Sequence, residues 1–323
     1  MSLLRLSPIL VALVVNLVAC SNEDNKPQNY SKSAVDVSKY QDINSHLPIE
    51  SLEKFVIQGS DDQEVEMFVA EYLDDDEKRR AIVYPVPRQE NEEKMNAGDI
   101  NKQHQYRHEK WQFLSAAVKK HAKDSDRFIT YWDNAQRLHL LTGRTAIPEQ
   151  PSEKAYANAE EKVLWRKVGG GFSQEDQLRI FAQCLIGKAV DAKACLRPLY
   201  TEAGDNYILM SADDLAHIQE ISRLTGQGLP LETRLFSTDS DLHGQIRQVR
   251  EWAREGEGTG SYMLQPIDEH FVRGWKIIDP AFEDSLLASL LPFTTAAEKE
   301  FGDLKLVFQS DWGGYLSLYQ VVN

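Results

Sequence analysis

Acid, amide and guanidinium side chains crowd one short stretch of the chain, Trp132-Asp133-Asn134 followed by Arg137 and Arg144. A carboxylate at Asp133 could take or orient a proton, an amide at Asn134 could both donate and accept, and the two arginines offer planar donor forks. His139 lies between the arginines and could join Asp133 in acid–base chemistry. A strand, a turn and a helix would have to hold these groups. Arg127 to Trp132 is β-rich, Asp133 or Asn134 suits a helix N-cap, Leu138 and Leu141 recur at helical spacing, and Gly143 supplies the stop. In open α/β sheets the turn beyond a strand's carboxyl end is where ligands sit, so the stretch is a candidate ligand or partner site. The competing reading is structural: Asp133 caps, Trp132 packs, and the arginines pair with acids.

Other constellations are incomplete. His104 and His108 share a helix face, with Glu109 beside the second, but the order is H-x-x-x-H-E and not the H-E-x-x-H of a zinc hydrolase, so no metal is expected. There is no G-x-S-x-G elbow. Gly169-Gly170-Gly171 ahead of a helix could cradle an anion on backbone N–H groups, yet it lacks the spacing of a nucleotide fingerprint and reads more simply as a flexible connection. Asp213-Asp214 could be an acid pair, or a helix start favoured by the dipole. No catalytic set and no cofactor emerges, and a non-enzymatic role is the expectation.

The start of the chain reads as an address. Residues 1–19 hold Arg5, an apolar run from Ile9 to Val15 and the ending Leu17-Val18-Ala19 before Cys20. That run falls short of the roughly 20 apolar residues of a membrane span and reads as a cleaved signal. Leu-Val-Ala-Cys resembles the lipobox of bacterial lipoproteins, which implies cleavage before Cys20 and lipid on its thiol. At about 0.8 kcal/mol per buried CH2, two acyl chains already hold a protein to a bilayer. Ser21 in the next position favours the outer membrane, so the expected place is the bacterial envelope, facing the periplasm. Residues 20–50 are polar and aperiodic and read as a flexible tether. The periplasmic body would then run from 51 to 323, with any division into two subdomains near 145–160.

Composition narrows the classes further. A chain of 323 residues with 42% hydrophobic and 27% charged residues can bury a core, and its net charge of −14 without a clustered basic face excludes nucleic acid as partner. Of three cysteines, Cys184 and Cys195 remain once Cys20 is lipidated. In an oxidising periplasm they either pair, closing a loop worth on the order of 2–3 kcal/mol, or stay as buried thiols or a redox pair. Their spacing is neither C-x-x-C nor the C-x-x-C-H of haem attachment.

Strands are read at Phe55–Ile57, Arg80–Tyr84, Tyr207–Ser211, Leu231–Phe236, Tyr262–Pro266 and Phe271–Ile278. Helices are read at Gln103–His121, Gln174–Ile186 capped by Ser173, Ala212–Thr225, Leu242–Arg254 and Phe282–Leu291. Val163–Val168 reads as a strand running into the glycine turn, and the end of the chain as an antiparallel hairpin turning at Asp311–Gly314. The interleaving predicts an α/β fold, a mixed sheet flanked by helices with antiparallel C-terminal strands.

Two resemblances rest on these segments. Tyr131-Trp132-Asp133 ahead of a helix, then Tyr207-Ile208-Leu209 before Asp213-Asp214 and a closing Tyr315-Leu316-Ser317-Leu318-Tyr319-Gln320-Val321, are similar in order to the soluble domain of oligosaccharyltransferase catalytic subunits, where W-W-D-Y-G contacts the acceptor. Tyr131 stands here for the first Trp and Asn134-Ala135 for Tyr-Gly, and no segment matches that family's multi-span membrane portion. The implication is a shared scaffold and, as an alternative function, peptide or glycan binding. More of the chain, from Arg127 to Thr295, resembles the hydroxylamine oxidation protein HaoB family through WDNAQRLHLLTGR, WRKVGGGF, YILMSADDL, GSYMLQPID and SLLASLLPFT. That family is encoded beside the multihaem hydroxylamine dehydrogenase of ammonia- and methane-oxidising bacteria. This resemblance implies a membrane-associated periplasmic accessory factor, for assembly, docking or recruitment, with hydroxylamine dehydrogenase or a cytochrome c as partner.

Overall fold

A computed structural model describes residues 30–58, 64–88, 98–237, 242–267, 271–291, 303–310 and 315–322. Residues 1–19, read as a signal, Cys20, and residues 311–314, read as a hairpin turn, lie outside the described residues. In chain order the strands are β1 (Tyr30–Val35), β2 (Ile49–Gln58), β3 (Glu64–Asp74), β4 (Glu77–Val83), β5 (Arg127–Ile129), β6 (Thr145–Ile147), β7 (Asn206–Ser211), β8 (Leu231–Ser237), β9 (Tyr262–Pro266), β10 (Phe271–Ile277), β11 (Leu304–Gln309) and β12 (Leu316–Val321). The helices are α1 (Gly98–His121), α2 (Trp132–Thr142), α3 (Ala159–Val168), α4 (Gln177–Ile186), α5 (Ala192–Leu196), α6 (Ile218–Thr225), α7 (Leu242–Ala253) and α8 (Leu286–Leu290). Among the described residues no helix is long and apolar enough to cross a membrane.

The strands form three sheets. β1 to β4 make an antiparallel meander, and β8, β10 and β9 a small antiparallel sheet. The third is a mixed sheet, in the order β11-β12-β7-β5-β6, where β5 runs parallel to β6 and β7 while β12 and β11 run antiparallel. The fold is therefore α/β with antiparallel C-terminal strands, as the interleaving predicts.

Alternation of side chains across the pleat explains the layering. Leu52, Phe68, Ala70, Tyr72, Ala81 and Val83 point into one hydrophobic cluster, while Phe55, Ile57, Val69 and Ile82 point into another. The mixed sheet divides the same way, Phe128, Tyr207 and Leu209 to the first and Ile129, Ile208 and Met210 to the second. Trp111, Leu114 and Val118 of α1 and Leu138 and Leu141 of α2 fill the first cluster, and α3, α4, α6 and α8 the second. Both clusters draw on residues from either side of 145–160, and Thr145–Ile147 is itself a strand of the mixed sheet. α7 packs a third, smaller cluster against the β8-β10-β9 sheet.

Three local expectations change. The stretch from Tyr30 on belongs to the folded body and not to a tether, because β1 pairs with β2 from Tyr30↔Ile57 to Val35↔Leu52 and Tyr40 and Ile43 are buried. Val163–Val168 is helical, since Leu164, Trp165 and Val168 recur on one face and Asn158 caps the start by accepting from the Glu161 N–H at 2.8 Å. The strand read as Arg127–Trp132 stops at Ile129, and Trp132 opens α2. Cys184, on α4, and Cys195, on α5, are joined in a disulfide.

Candidate functional site

β5 and β7 lie side by side and parallel, and the chain leaves β5 for β6 on one side and later returns to β7 on the other. Such a reversal of strand order is where ligands usually sit in an open α/β sheet, beyond the carboxyl ends. Here that position is filled by the protein's own charged side chains. From the end of β5 come Tyr131, Trp132, Asp133, Asn134 and Arg137; from the end of β7 come Ser211, Asp213, Asp214, His217 and Glu220; Arg107 arrives from α1. All of them are buried except His217, which is partly exposed.

Asp133 and Asn134 do not cap α2. The N-cap is Tyr131, without a side-chain bond, and both polar groups sit in the first turn, committed to other partners. Asn134 Nδ2 donates to Asp214 Oδ1 at 2.6 Å and its Oδ1 accepts from Arg137 Nη1 at 2.9 Å. Arg137 also donates to the Ile82 carbonyl at 2.8 Å and is flanked by the rings of Tyr84 and Trp111 at 4.5 and 4.6 Å. Its Nη2 stands 3.7 Å from Asp133 Oδ2, an ion contact longer than a hydrogen bond.

His217 lies flat on Tyr131, with ring centroids 3.9 Å apart. Its Nε2 is 3.2 Å from Asp133 Oδ1, off the hydrogen-bond line, and its Nδ1 is 3.1 Å from Glu220 Oε1. Two ring nitrogens facing two carboxylates suit the imidazolium, which carries an N–H on each. Burial alone would favour neutral imidazole, but Glu220 and Asp133 hold the proton on and push His217 well above its ordinary range. Asp133, against the burial that would raise it, is lowered by His217 and Arg137. Tyr131 and Tyr156 direct their phenols at Glu220 Oε2, at 3.3 and 3.4 Å.

Asp213 and Asp214 are neighbours with opposite settings. Arg107 grips Asp213 with Nε at 2.8 Å and Nη2 at 2.9 Å, Tyr315 donates to the same carboxylate, and these partners overcome burial to lower Asp213. Asp214 completes a capping box with Ser211, whose N–H donates to Oδ2 at 2.8 Å, yet burial first and the charge of Asp133 second push its carboxyl up to about 7. Arg107, Arg137 and His217 thus face Asp133, Asp213 and Glu220, with Asp214 able to hold a proton. The charges offset one another by ion contacts, although Asp133 Oδ1 and Arg137 Nη2 lack a hydrogen bond among the described residues, which fits a buried, orienting core of charge more than an open reaction centre.

The rest of the sequence-read site disperses. Arg144 lies past the far end of α2, where it donates to the Ala122 carbonyl at 3.1 Å and pairs with Asp124. His139 turns to Asp74 at 2.9 Å and the Arg144 carbonyl at 3.0 Å, not to Asp133. It lines a surface cavity of about 400 Å³ with Tyr72, Arg79, Gln136, Glu149 and Gly170. His104 packs edge-on against Phe68 and Tyr84, and burial lowers it to about 3. Among the described residues no group of three His, Cys, Asp or Glu side chains could hold a metal. Sequence reading missed His217, Glu220, Arg107 and Tyr315. The usable signal was weak, a Ser211-Ala-Asp-Asp start with His217 and Glu220 three residues apart on one helical face.

No curated protein matches the chain. A family model described as HaoA-associated protein HaoB matches residues 2–321, and with nearly the whole length covered the chain belongs to the HaoB family.

Proposed function

We propose that this protein is a lipid-anchored periplasmic accessory factor that associates with HaoA, the hydroxylamine dehydrogenase, and serves its assembly, docking or recruitment without catalysing a reaction itself. The observation that carries the proposal is the family match over residues 2–321, whose description is association with HaoA. The lipobox-like Leu17-Val18-Ala19-Cys20 supports the anchor, with Cys20 as the lipidated residue. The closed charge cluster supports the non-enzymatic part. Asp133, Asp213, Arg107 and Arg137 are each 8% exposed or less and are engaged with one another, so they hold the ends of β5 and β7 rigid beneath a surface that a partner could read. That the partner is a cytochrome and the membrane is the outer one are finer parts of the same proposal.

Purified components test it. The chain and HaoA, mixed at micromolar concentration and followed by sedimentation velocity, should co-migrate, and the chain alone should leave hydroxylamine unconsumed. Independent sedimentation at every ratio would overturn the association, and hydroxylamine turnover by the chain alone would overturn the non-enzymatic reading.

A further inference from the structure

Beneath α6 the second hydrophobic cluster contains more than apolar packing. Trp165, at the rim and 8% exposed, touches two oxidisable rings. It stacks on Tyr156 with centroids 5.7 Å apart and planes 12° from parallel, and meets Trp132 edge-on at 6.0 Å. Trp132 is joined by a peptide bond to Tyr131. Tyr131 and Tyr156 close the circuit, because both aim their phenols at one carboxylate oxygen, Glu220 Oε2. All four rings except Trp165 are at most 4% exposed.

We propose that Trp165, Trp132, Tyr156 and Tyr131 form an internal hole-transfer relay that accepts a single oxidising equivalent at Trp165 and stores it as a neutral tyrosyl radical over Glu220. The oxidant is a one-electron acceptor outside the protein, of the class of an oxidising haem iron. It takes one electron from the Trp165 indole and is reduced by one. The vacancy is filled from Tyr156 directly, or from Tyr131 by way of Trp132. In either branch the phenol O–H bond breaks, its electron moves to the indole, and its proton goes to Glu220 Oε2. The products are a tyrosyl radical, a protonated Glu220 and a restored tryptophan; one electron supplied from outside, with the proton passing back from Glu220 to the phenoxyl oxygen, reverses the sequence.

Three features favour transfer over mere packing. The Trp132 indole N–H has no hydrogen-bond partner among the described residues, so an oxidised Trp132 has no base to receive its proton and passes the vacancy on. The tyrosines, by contrast, each have a base in reach. Burial, with Glu220 next, keeps the phenol of Tyr131 and that of Tyr156 well above the ordinary tyrosine range, so oxidation must carry the proton with the electron. His217, held between Asp133 and Glu220, fixes the acceptor carboxylate in place.

The test is photo-oxidation of the full chain by flash-generated tris(bipyridine)ruthenium(III), with radicals trapped by freezing and read by electron paramagnetic resonance. Wild type should give a neutral tyrosyl signal. Tyr131→Phe with Tyr156→Phe, which keeps both rings, should lose that signal although ten other tyrosines remain of the twelve. Trp165→Phe, with an unchanged melting curve, should lose it as well while Tyr131 and Tyr156 are intact. A full signal in the double tyrosine variant, or in a folded Trp165→Phe, overturns the relay.

Discussion

Replacing Asp213 by Asn removes one charge and almost no volume from the middle of the cluster. Asp213 is 8% exposed and receives Arg107 at 2.8 and 2.9 Å, the Tyr315 hydroxyl, and the Tyr84 hydroxyl at 3.4 Å. An amide can keep one acceptor oxygen, but its NH2 must then face donors, and the buried Arg107 loses its counter-ion. Removing one partner of a buried ion pair costs about 3–5 kcal/mol, because the other charge is stranded. Arg107→Met should cost a similar amount for the converse reason. The double variant Arg107→Met/Asp213→Leu removes both charges and fills the space with apolar groups, so it should return to within about 1 kcal/mol of wild type. Urea unfolding at pH 7 of all four proteins reads these differences as midpoint shifts at constant slope. Single variants that each lose less than about 1 kcal/mol, or a double variant whose loss equals the sum of the singles, would mean that the pair is not sealed from water.

The Asp214 carboxyl, pushed up to about 7, binds a proton more tightly folded than unfolded. Its contribution to stability is therefore fully present below the unfolded carboxylate range and is lost as pH rises to about 7. Between pH 5 and 8 wild type should lose roughly 2–3 kcal/mol more than Asp214→Asn in urea titrations, and parallel pH profiles would refute this. Gly143→Ala places a Cβ 2.5 Å from His46 Cδ2 at a φ of +70°, so it should destabilise by at least about 1–2 kcal/mol; an unchanged melting midpoint would count against the left-handed end of α2. Cys184→Ser/Cys195→Ser opens a short loop and should cost about 2–3 kcal/mol, a loss that wild type should reproduce when reduced and that equal stability of the two forms would contradict.

What could be read from sequence was local. The strand, turn and helix between Arg127 and Gly143 rest on neighbouring residues, and Gly143 does end α2 in the left-handed conformation. The Ser211 start was legible for the same reason, since a capping box spans only four residues. The partners of Asp133 were not, because the β5–β7 pairing brings His217 and Glu220 from another part of the chain to the end of the same sheet. His139 misled by its position: on α2 it is six residues beyond Asp133 and faces β3, where Asp74 receives it. The segment at Val163 looked like a strand because its first helical turn, Ala159-Glu160-Glu161, holds two acids and no large apolar residue. Tyr30 to Val35 looked like tether because a sheet-edge strand exposed on most of its residues has a polar composition.

If the chain associates with HaoA at a membrane through lipid on Cys20, the two should leave that membrane together. The most direct measurement is affinity capture of a tagged chain from native membranes solubilised in mild detergent, with the captured proteins identified by mass spectrometry and their haem content by absorbance. HaoA should be captured with wild type, and Cys20→Ala should move the chain out of the membrane fraction. Capture of wild type without HaoA or any c-type cytochrome, or full membrane retention of Cys20→Ala, would contradict the lipid-anchored association.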